Sequence, residues 1–369
     1  MRKGWEYKKL GEVCEVVTGT TPKTNIPEYW GKGHYWVTPA ELNDTTVYID
    51  KTERQITDEA LSKTKLRLLP VGTVLLSSRA PIGKVAIANA EMYCNQGFKN
   101  CICSEAIYNK YLFYFLRLKK DYLNSLGRGA TFKEISKSIV ESIKIPLPPK
   151  STQLAIVSEL DKINELIRLK KEQLKDFDNL AQSLFYEMFG DPVENEKGWE
   201  VKKLGEICEI FAGGDKPKDM CEIQNNEYIY PVIANGEGEK GILGYTKNCR
   251  VTKEAVTIGA RGASIGNCRI VKNGFTPAIR LLTLIPTGSI DCCFLYYFVK
   301  DLNYKQNGAG QAQLTVPNIK CEFIPLPPLS LQRLFAQRIE QIEREKSEVQ
   351  KSIQDLETLL ASRIQYWFE

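Results

Sequence analysis

The chain has 369 residues, which at ~100 to 200 residues per domain leaves room for two or three domains. Its hydrophobic content of 43% and charged content of 26% exclude a disordered, collagenous or mainly membrane-embedded chain. The net charge of +5 is unevenly spread: residues 1–150 carry 23 Lys and Arg against 15 Asp and Glu, and 151–197 carry 6 against 10. Residues 198–329 carry 15 against 13, and 330–369 carry 6 against 7. A polyanion is therefore expected to meet the first and third segments rather than the second and fourth.

The opening Met1-Arg2-Lys3-Gly4-Trp5-Glu6 has no apolar run after its basic residues, and no later stretch approaches ~18 uninterrupted apolar residues. A cytoplasmic protein without membrane contact is the expectation. Among 11 cysteines the closest pairs, Cys101/Cys103 and Cys292/Cys293, lack the two-residue gap of a zinc knuckle, so reduced thiols and no metal site are expected. The one histidine, His34, reads as a solvated loop residue.

From the N-terminus onward the chain repeats itself. Gly4–Val16 (GWEYKKLGEVCEV) and Gly198–Ile210 (GWEVKKLGEICEI) agree at ten of thirteen positions, at an offset of 194. Ile145–Pro149 and Ile324–Pro328 are both IPLPP, at an offset of 179. Weaker matches, Ile82-Gly83 with Ile265-Gly266 and Leu112–Phe115 with Leu295–Phe298, lie between them at an offset of 183. Two tandem copies follow, alike at their ends and divergent in the middle.

Each copy begins with short strands. Gly72–Leu76 and Ala255–Ile258 have the apolar, β-branched content of buried strands, and Tyr111–Leu116 and Phe294–Val299 read as short apolar helices. The proline runs close these mixed α/β parts, because three prolines in four residues continue neither a helix nor a central strand. Ser151 and Ser330 stand where N-caps are expected. A heptad follows in both copies. The first seam is Ile156, Leu160, Ile163, Ile167, Leu174, Phe177, Ala181, Leu184 and Met188. The second is Phe335, Ile339, Ile342, Val349, Ile353, Leu356, Leu360 and Trp367, and only Lys170, Lys346 and Arg363 interrupt the pattern. A 3/4 spacing over about five heptads predicts a coiled coil, and Gly190-Asp191-Pro192 stops the first helix. The expected architecture is two globular mixed α/β domains, 1–150 and 191–329, separated by two long antiparallel helices, 151–190 and 330–369, with approximate two-fold symmetry. Such a dumbbell suits duplex DNA, whose major groove returns to one face every ~34 Å.

The stretch Val71–Lys99 (VGTVLLSSRAPIGKVAIANAEMYCNQGFK), with the GWE-KLGE openings and the IPLPP-to-helix junctions, closely resembles the specificity subunits of type I restriction-modification enzymes over essentially the whole chain. The resemblance implies two target-recognition domains, each reading half of a bipartite asymmetric double-stranded DNA site. It implies no catalysis in this chain and no cofactor of its own. Two modification (methyltransferase) subunits would bring S-adenosylmethionine and methylate adenine N6; restriction/translocase subunits would use ATP and Mg. The residues agree in part: Asp191-Pro192-Val193-Glu194 fails the Asp-Pro-Pro-Tyr type of amino-methylation motif, Gly83-Lys84 is followed by Val85 rather than Ser or Thr, and no Pro-Asp dipeptide opens a nuclease motif. Two other classes stay open: an autonomous DNA methyltransferase or nuclease with built-in recognition domains, and a coiled-coil scaffold that ignores DNA.

Base edges are read by Arg, Lys, Asn and Gln, whereas phosphates also accept Ser, Thr and backbone amides. The candidate contacts in the first copy are Ser78, Arg79 and Lys84 around Ala-Pro-Ile-Gly, then Asn95, Gln96 and Lys99, with Arg128, Thr131 and Lys133 for phosphates. In the second copy they are Lys216, Lys218, Asn235, Lys240, Arg261, Ser264, Gln311 and Gln313; here Arg261-Gly262-Ala263-Ser264-Ile265-Gly266 replaces the first copy's loop and no NQGF follows. Trp30 and Trp36 read as core aromatics, Trp5 and Trp199 as packing residues, and Glu159, Glu165, Glu340 and Glu348 as an outer docking face on the helices.

Overall fold

The computed structural model describes residues 4–79, 81–127, 133–236, 238–302 and 313–369, with the backbone alone at Glu239. The chain divides into two compact units, Met1–Lys170 with Ser352–Glu369, and Lys171–Lys351.

In the first unit, β1 (Glu6–Lys9) pairs antiparallel with β10 (Lys144–Leu147). A five-stranded sheet has the order β2 (Cys14–Thr18), β9 (Lys99–Cys103), β6 (Val74–Leu76), β7 (Val85–Ala88), β4 (Tyr48–Ile49). A smaller sheet runs β5 (Gln55–Ile56), β3 (Trp30–Val37), β8 (Tyr93–Cys94), with β3 and β8 parallel. The second unit repeats this plan. There β11 (Glu200–Lys203) pairs with β19 (Phe323–Leu326). The larger sheet is β12 (Cys208–Ala212), β18 (Leu282–Pro286), β15 (Ala255–Ile258), β16 (Cys268–Val271). The smaller is β14 (Ile242–Thr246), β13 (Tyr230–Ile233), β17 (Thr276–Pro277), again with its last two strands parallel. The divergent middles of the two copies therefore share one strand order, to which the first adds β4 at the edge of its larger sheet.

The apolar helices α1 (Asn109–Leu118) and α3 (Cys292–Asp301) cover the larger sheets and bury Tyr111, Phe113 and Phe115, and Phe294, Leu295 and Phe298. The long helices are α2 (Lys150–Phe189) and α4 (Leu329–Phe368). Ser151 and Ser330 lie inside the first turn rather than at the cap. The prolines instead supply the early carbonyls: Pro149 O accepts from Thr152 and Gln153, and Pro328 O from Leu331 and Gln332. One buried glutamine ties each helix to its unit. Gln153 donates to Ala106 O and Pro148 O and accepts from Tyr108 N; Gln332 donates to Ser289 O and Pro327 O and accepts from Asp291 N.

Within the first unit, the beginning of α2 lies against the end of α4. Glu159 accepts from both Arg363 and Trp367, and Trp5 stacks on Trp367 with centroids 6.3 Å apart. Within the second unit, Asp178 pairs with Lys346 at 2.8 Å and Phe185 packs on Phe335. Two of the charges that interrupt the heptad pattern thus find carboxylates. Ile156, Leu160, Ile163, Ile167, Phe335, Ile339, Ile342, Val349 and Ile353 are buried; Leu174, Phe177, Leu184, Leu356 and Leu360 are half-buried. Phe185, one place beyond the heptad position Leu184, is the more deeply buried residue and joins Phe189, Phe294 and Phe335 in an aromatic cluster. Glu159 belongs to the helix contact rather than to an outer face, since its carboxylate is engaged by Arg363 and Trp367. Trp199 caps the end of α2 by donating to Phe189 O, and Gly190 there takes φ +78°.

Candidate nucleic-acid interface

In both units the loop after the third strand of the larger sheet is fixed by backbone hydrogen bonds that do not depend on side-chain identity. In the first unit Gly83 N donates to Ser77 O, and Ile135 N to Ser78 O; in the second, Gly266 N donates to Gly259 O, and Leu314 N to Ala260 O. Isolated bridges pair Arg79 with Glu134 and Arg261 with Gln313. The two arginines hold the same position, and the second loop is one residue longer. Gly83 and Gly266 take φ +89° and +82°, the left-handed region glycine enters at least cost. A close approach behind each loop also needs glycine: a Cβ at Gly19 would lie 1.9 Å from Asn95 O, and one at Gly213 2.6 Å from the Pro277 carbonyl carbon.

The side chains on this shared frame differ. In the first unit Ser78 is 0% and Lys99 5% exposed. The Lys99 ammonium lies 2.9 Å from Glu134 and 3.3 Å from Ser78 Oγ. Both residues therefore leave the set of candidate contacts: a buried ammonium needs a carboxylate partner, and this one has it inside the unit. Lys84 is half-buried and spends its ammonium on Pro39 O at 3.0 Å. Asn95 closes the following turn by accepting from Gly97 N, while Gln96 is exposed and accepts from the Thr21 hydroxyl. Arg79 is half-buried and Lys133 exposed. Arg128, Thr131 and Gln311 lie outside the described residues.

In the second unit Lys216, Lys218, Lys240, Arg261 and Gln313 are exposed and Ser264 half-exposed. The Arg261 guanidinium faces Gln313 Oε1 at 3.5 Å. Asn235 spends both polar ends internally, accepting from Ala260 N at 2.8 Å and donating to Ile279 O at 2.6 Å. It positions the rim rather than offering free donors. Arg269 is turned inward onto Gly236 O, and burial holds its guanidinium below the usual arginine range.

Strand pairing also aligns Ala278–Leu281 with Asn95–Phe98, since Ala278 N donates to Ile233 O as Asn95 N does to Val37 O. This places Ile279 and Arg280, which residue type alone had not singled out, on the rim. Extending the offset of 183 past Gly266 finds them in the sequence. Trp36 is buried and donates to Thr20 O; half-buried Trp30 carries Arg54 3.8 Å above its ring. His34 pairs with exposed Asp58 at 2.8 Å. Burial pushes the Cys94 and Cys208 thiols up to about 12, and the 11 cysteines are thiols rather than disulfides. Among the described residues no group of three or more His, Cys, Asp and Glu is arranged to hold a metal, and no helix is long and apolar enough to cross a membrane.

A family model described as the type I restriction modification DNA specificity domain matches residues 2–176 and again 196–358. The chain belongs to the type I restriction-modification specificity subunits. It is 32% identical to the MjaIX specificity subunit of Methanocaldococcus jannaschii, over 90% of this chain and 85% of the relative. Identity to the EcoprrI specificity subunit of Escherichia coli is 26%, over 85% and 82%. A structure reported for complex assembly and conformational transition of the type I system matches with a TM-score of 0.68 at 22% identity, covering 99% of this chain and 97% of that one. The S subunit of M. genitalium matches at TM-score 0.57 and 17% identity, with 99% and 96% covered. As a specificity subunit, the chain determines the DNA sequence recognised by a type I system, and the two family matches fall on the two mixed α/β units.

Proposed function

We propose that segments 1–150 and 191–329 each read one half of a bipartite, asymmetric double-stranded DNA target. In this reading, segments 151–190 and 330–369 pair as an antiparallel coiled coil with approximate two-fold symmetry, fixing the spacer between the halves. The observation that carries the reading is one hydrogen-bonded loop built twice with different side chains on its rim. The candidate DNA contacts are Arg79, Lys84, Asn95 and Gln96 in one unit, with Lys133 for phosphates, and Lys216, Lys218, Lys240, Arg261, Ser264 and Gln313 in the other, with Asn235 as a positioning residue. The seam contacts Glu159–Arg363 and Asp178–Lys346 support the pairing.

Two modification subunits would dock on outer helix faces, for which Leu166, Leu169, Leu180 and Leu359 and the carboxylates Glu165, Glu340 and Glu348 are exposed. They would carry S-adenosylmethionine, and restriction/translocase subunits would supply ATP- and Mg-dependent chemistry; this chain contributes recognition. Methylome sequencing of a host expressing the chain with and without its modification subunit tests the reading. The expected result is adenine methylation at a two-part asymmetric motif only when both are present. Methylation by the chain alone, or a contiguous palindromic motif, overturns it.

A further inference from the structure

Ile279 and Arg280 are adjacent non-glycine residues at φ +49° and +58°, a conformation that L side chains rarely adopt and that is costlier still for β-branched isoleucine. The surroundings enforce it. Ile279 N donates to Gly214 O and Arg280 N to Gly213 O, while the Ile279 carbonyl is held by Asn235 Nδ2. The other end of Asn235 takes Ala260 N, next to Arg261. In the first unit the corresponding amide, Ser78 N, is taken by the Gly97 carbonyl instead. Gly97 there is crowded: a Cβ would lie 3.3 Å from Pro39 Cγ and 3.4 Å from Arg79 Nε. The second unit has turned the same four-residue segment, replaced a backbone hydrogen bond with the Asn235 side chain, and gained an exposed arginine where the first has glycine. Among the described residues Arg280 has no ion-pair partner.

We propose that Arg280 is a specificity-determining residue that reads a guanine edge in the half-site recognised by the second unit. This rests on the reading of each unit as a half-site reader. A guanidinium offers the two parallel donors that match guanine O6 and N7, and a turn braced at both ends holds that fork in place before DNA arrives, reducing the ordering cost of binding. Asn235 is the positioning residue, coupling the Arg280 turn to the Arg261 bridge.

Selection from a randomised duplex library, with the full-length chain assembled with its modification subunits, tests the assignment. Arg280→Ala and Arg280→Lys are each expected to lose roughly tenfold or more discrimination at one guanine position in one half-site, leaving the other half-site unchanged. Arg280→Gly, which relieves the backbone conformation, is expected to give the same relaxation with undiminished stability, separating reading from folding. Retained discrimination in Arg280→Ala, full activity of Arg280→Lys, or a uniform loss of affinity across all sequences overturns the proposal, the last by making Arg280 a phosphate contact. A wild-type complex without a two-part preference would instead defeat the underlying reading.

Discussion

The rims of the two units solve one structural problem with opposite chemistry. The first secures its loop with a polar staple, buried Ser78 and Lys99 with half-exposed Glu134; at the same places the second carries Ala260, Leu282 and Gln313, and ties the rim with Asn235. The backbone bonds made by Gly83 and Ile135 recur at Gly266 and Leu314, whereas the amide of Ser78 is held by a backbone carbonyl and that of Ala260 by a side chain. Frame and rim are therefore separable, which lets one topology present two chemically distinct surfaces.

The largest expected effect concerns the helix anchorage, aromatic in both units through Phe189 and Phe368 but enlarged by Phe185 in the second. Phe185 is 1% exposed among Phe189, Phe294 and Phe335, whereas the aligned position of the first unit is Ile364. Phe185→Ala is expected to cost about 3–5 kcal/mol, read as hydrogen-exchange protection lost in the second unit and kept in the first. Equal loss in both would mean that the units do not stand as separate cores. Next, Glu134→Ala strands the Lys99 ammonium and should cost about 2 kcal/mol, discounted because Glu134 is partly open to water. The double replacement Lys99→Leu with Glu134→Gln copies two of the second unit's three residues at these places and should be close to neutral in chemical denaturation. A double variant as unstable as the single one would contradict the exchange.

Asn235→Ala removes a bond at both Ala260 N and Ile279 O and should cost about 1–3 kcal/mol, while relaxing only the half-site of the second unit in a selection from random duplexes. Smallest is a pH effect confined to the first unit. The Arg363 guanidinium that hydrogen-bonds Glu159 holds its carboxyl below the 4.5 of an ordinary glutamate. The linked stability is complete above pH 4.5 and is lost as pH falls through the lower folded value. Glu159→Gln should flatten that acid limb in a pH series of thermal unfolding; an unchanged limb would show that the carboxylate is not coupled to folding.

Much of this organisation was legible in the sequence, because duplicated ends and a heptad are periodic signals that survive divergence. The long helices lie where the 3/4 spacing predicted them, and Gly190 ends the first. The rim was harder to read. Nothing in residue type distinguishes buried Lys99 from exposed Lys133, because the difference is a carboxylate 35 positions away in sequence and 2.9 Å away in space. Arg280 was missed because its context, Ala-Ile-Arg-Leu, shares no residue with Asn-Gln-Gly-Phe, although strand pairing aligns the two. Phe185 escaped because heptad reading assigns the seam to one partner helix, while this ring packs on both α4 and its own unit's α3.

Methylation mapping of a chain shortened by one heptad in both α2 and α4 tests the central claim most directly. Seven helical residues span ~10 Å, so the two half-sites should keep their sequences and move about three base pairs closer together. An unaltered spacer, or altered half-sites at the old spacing, would contradict the account.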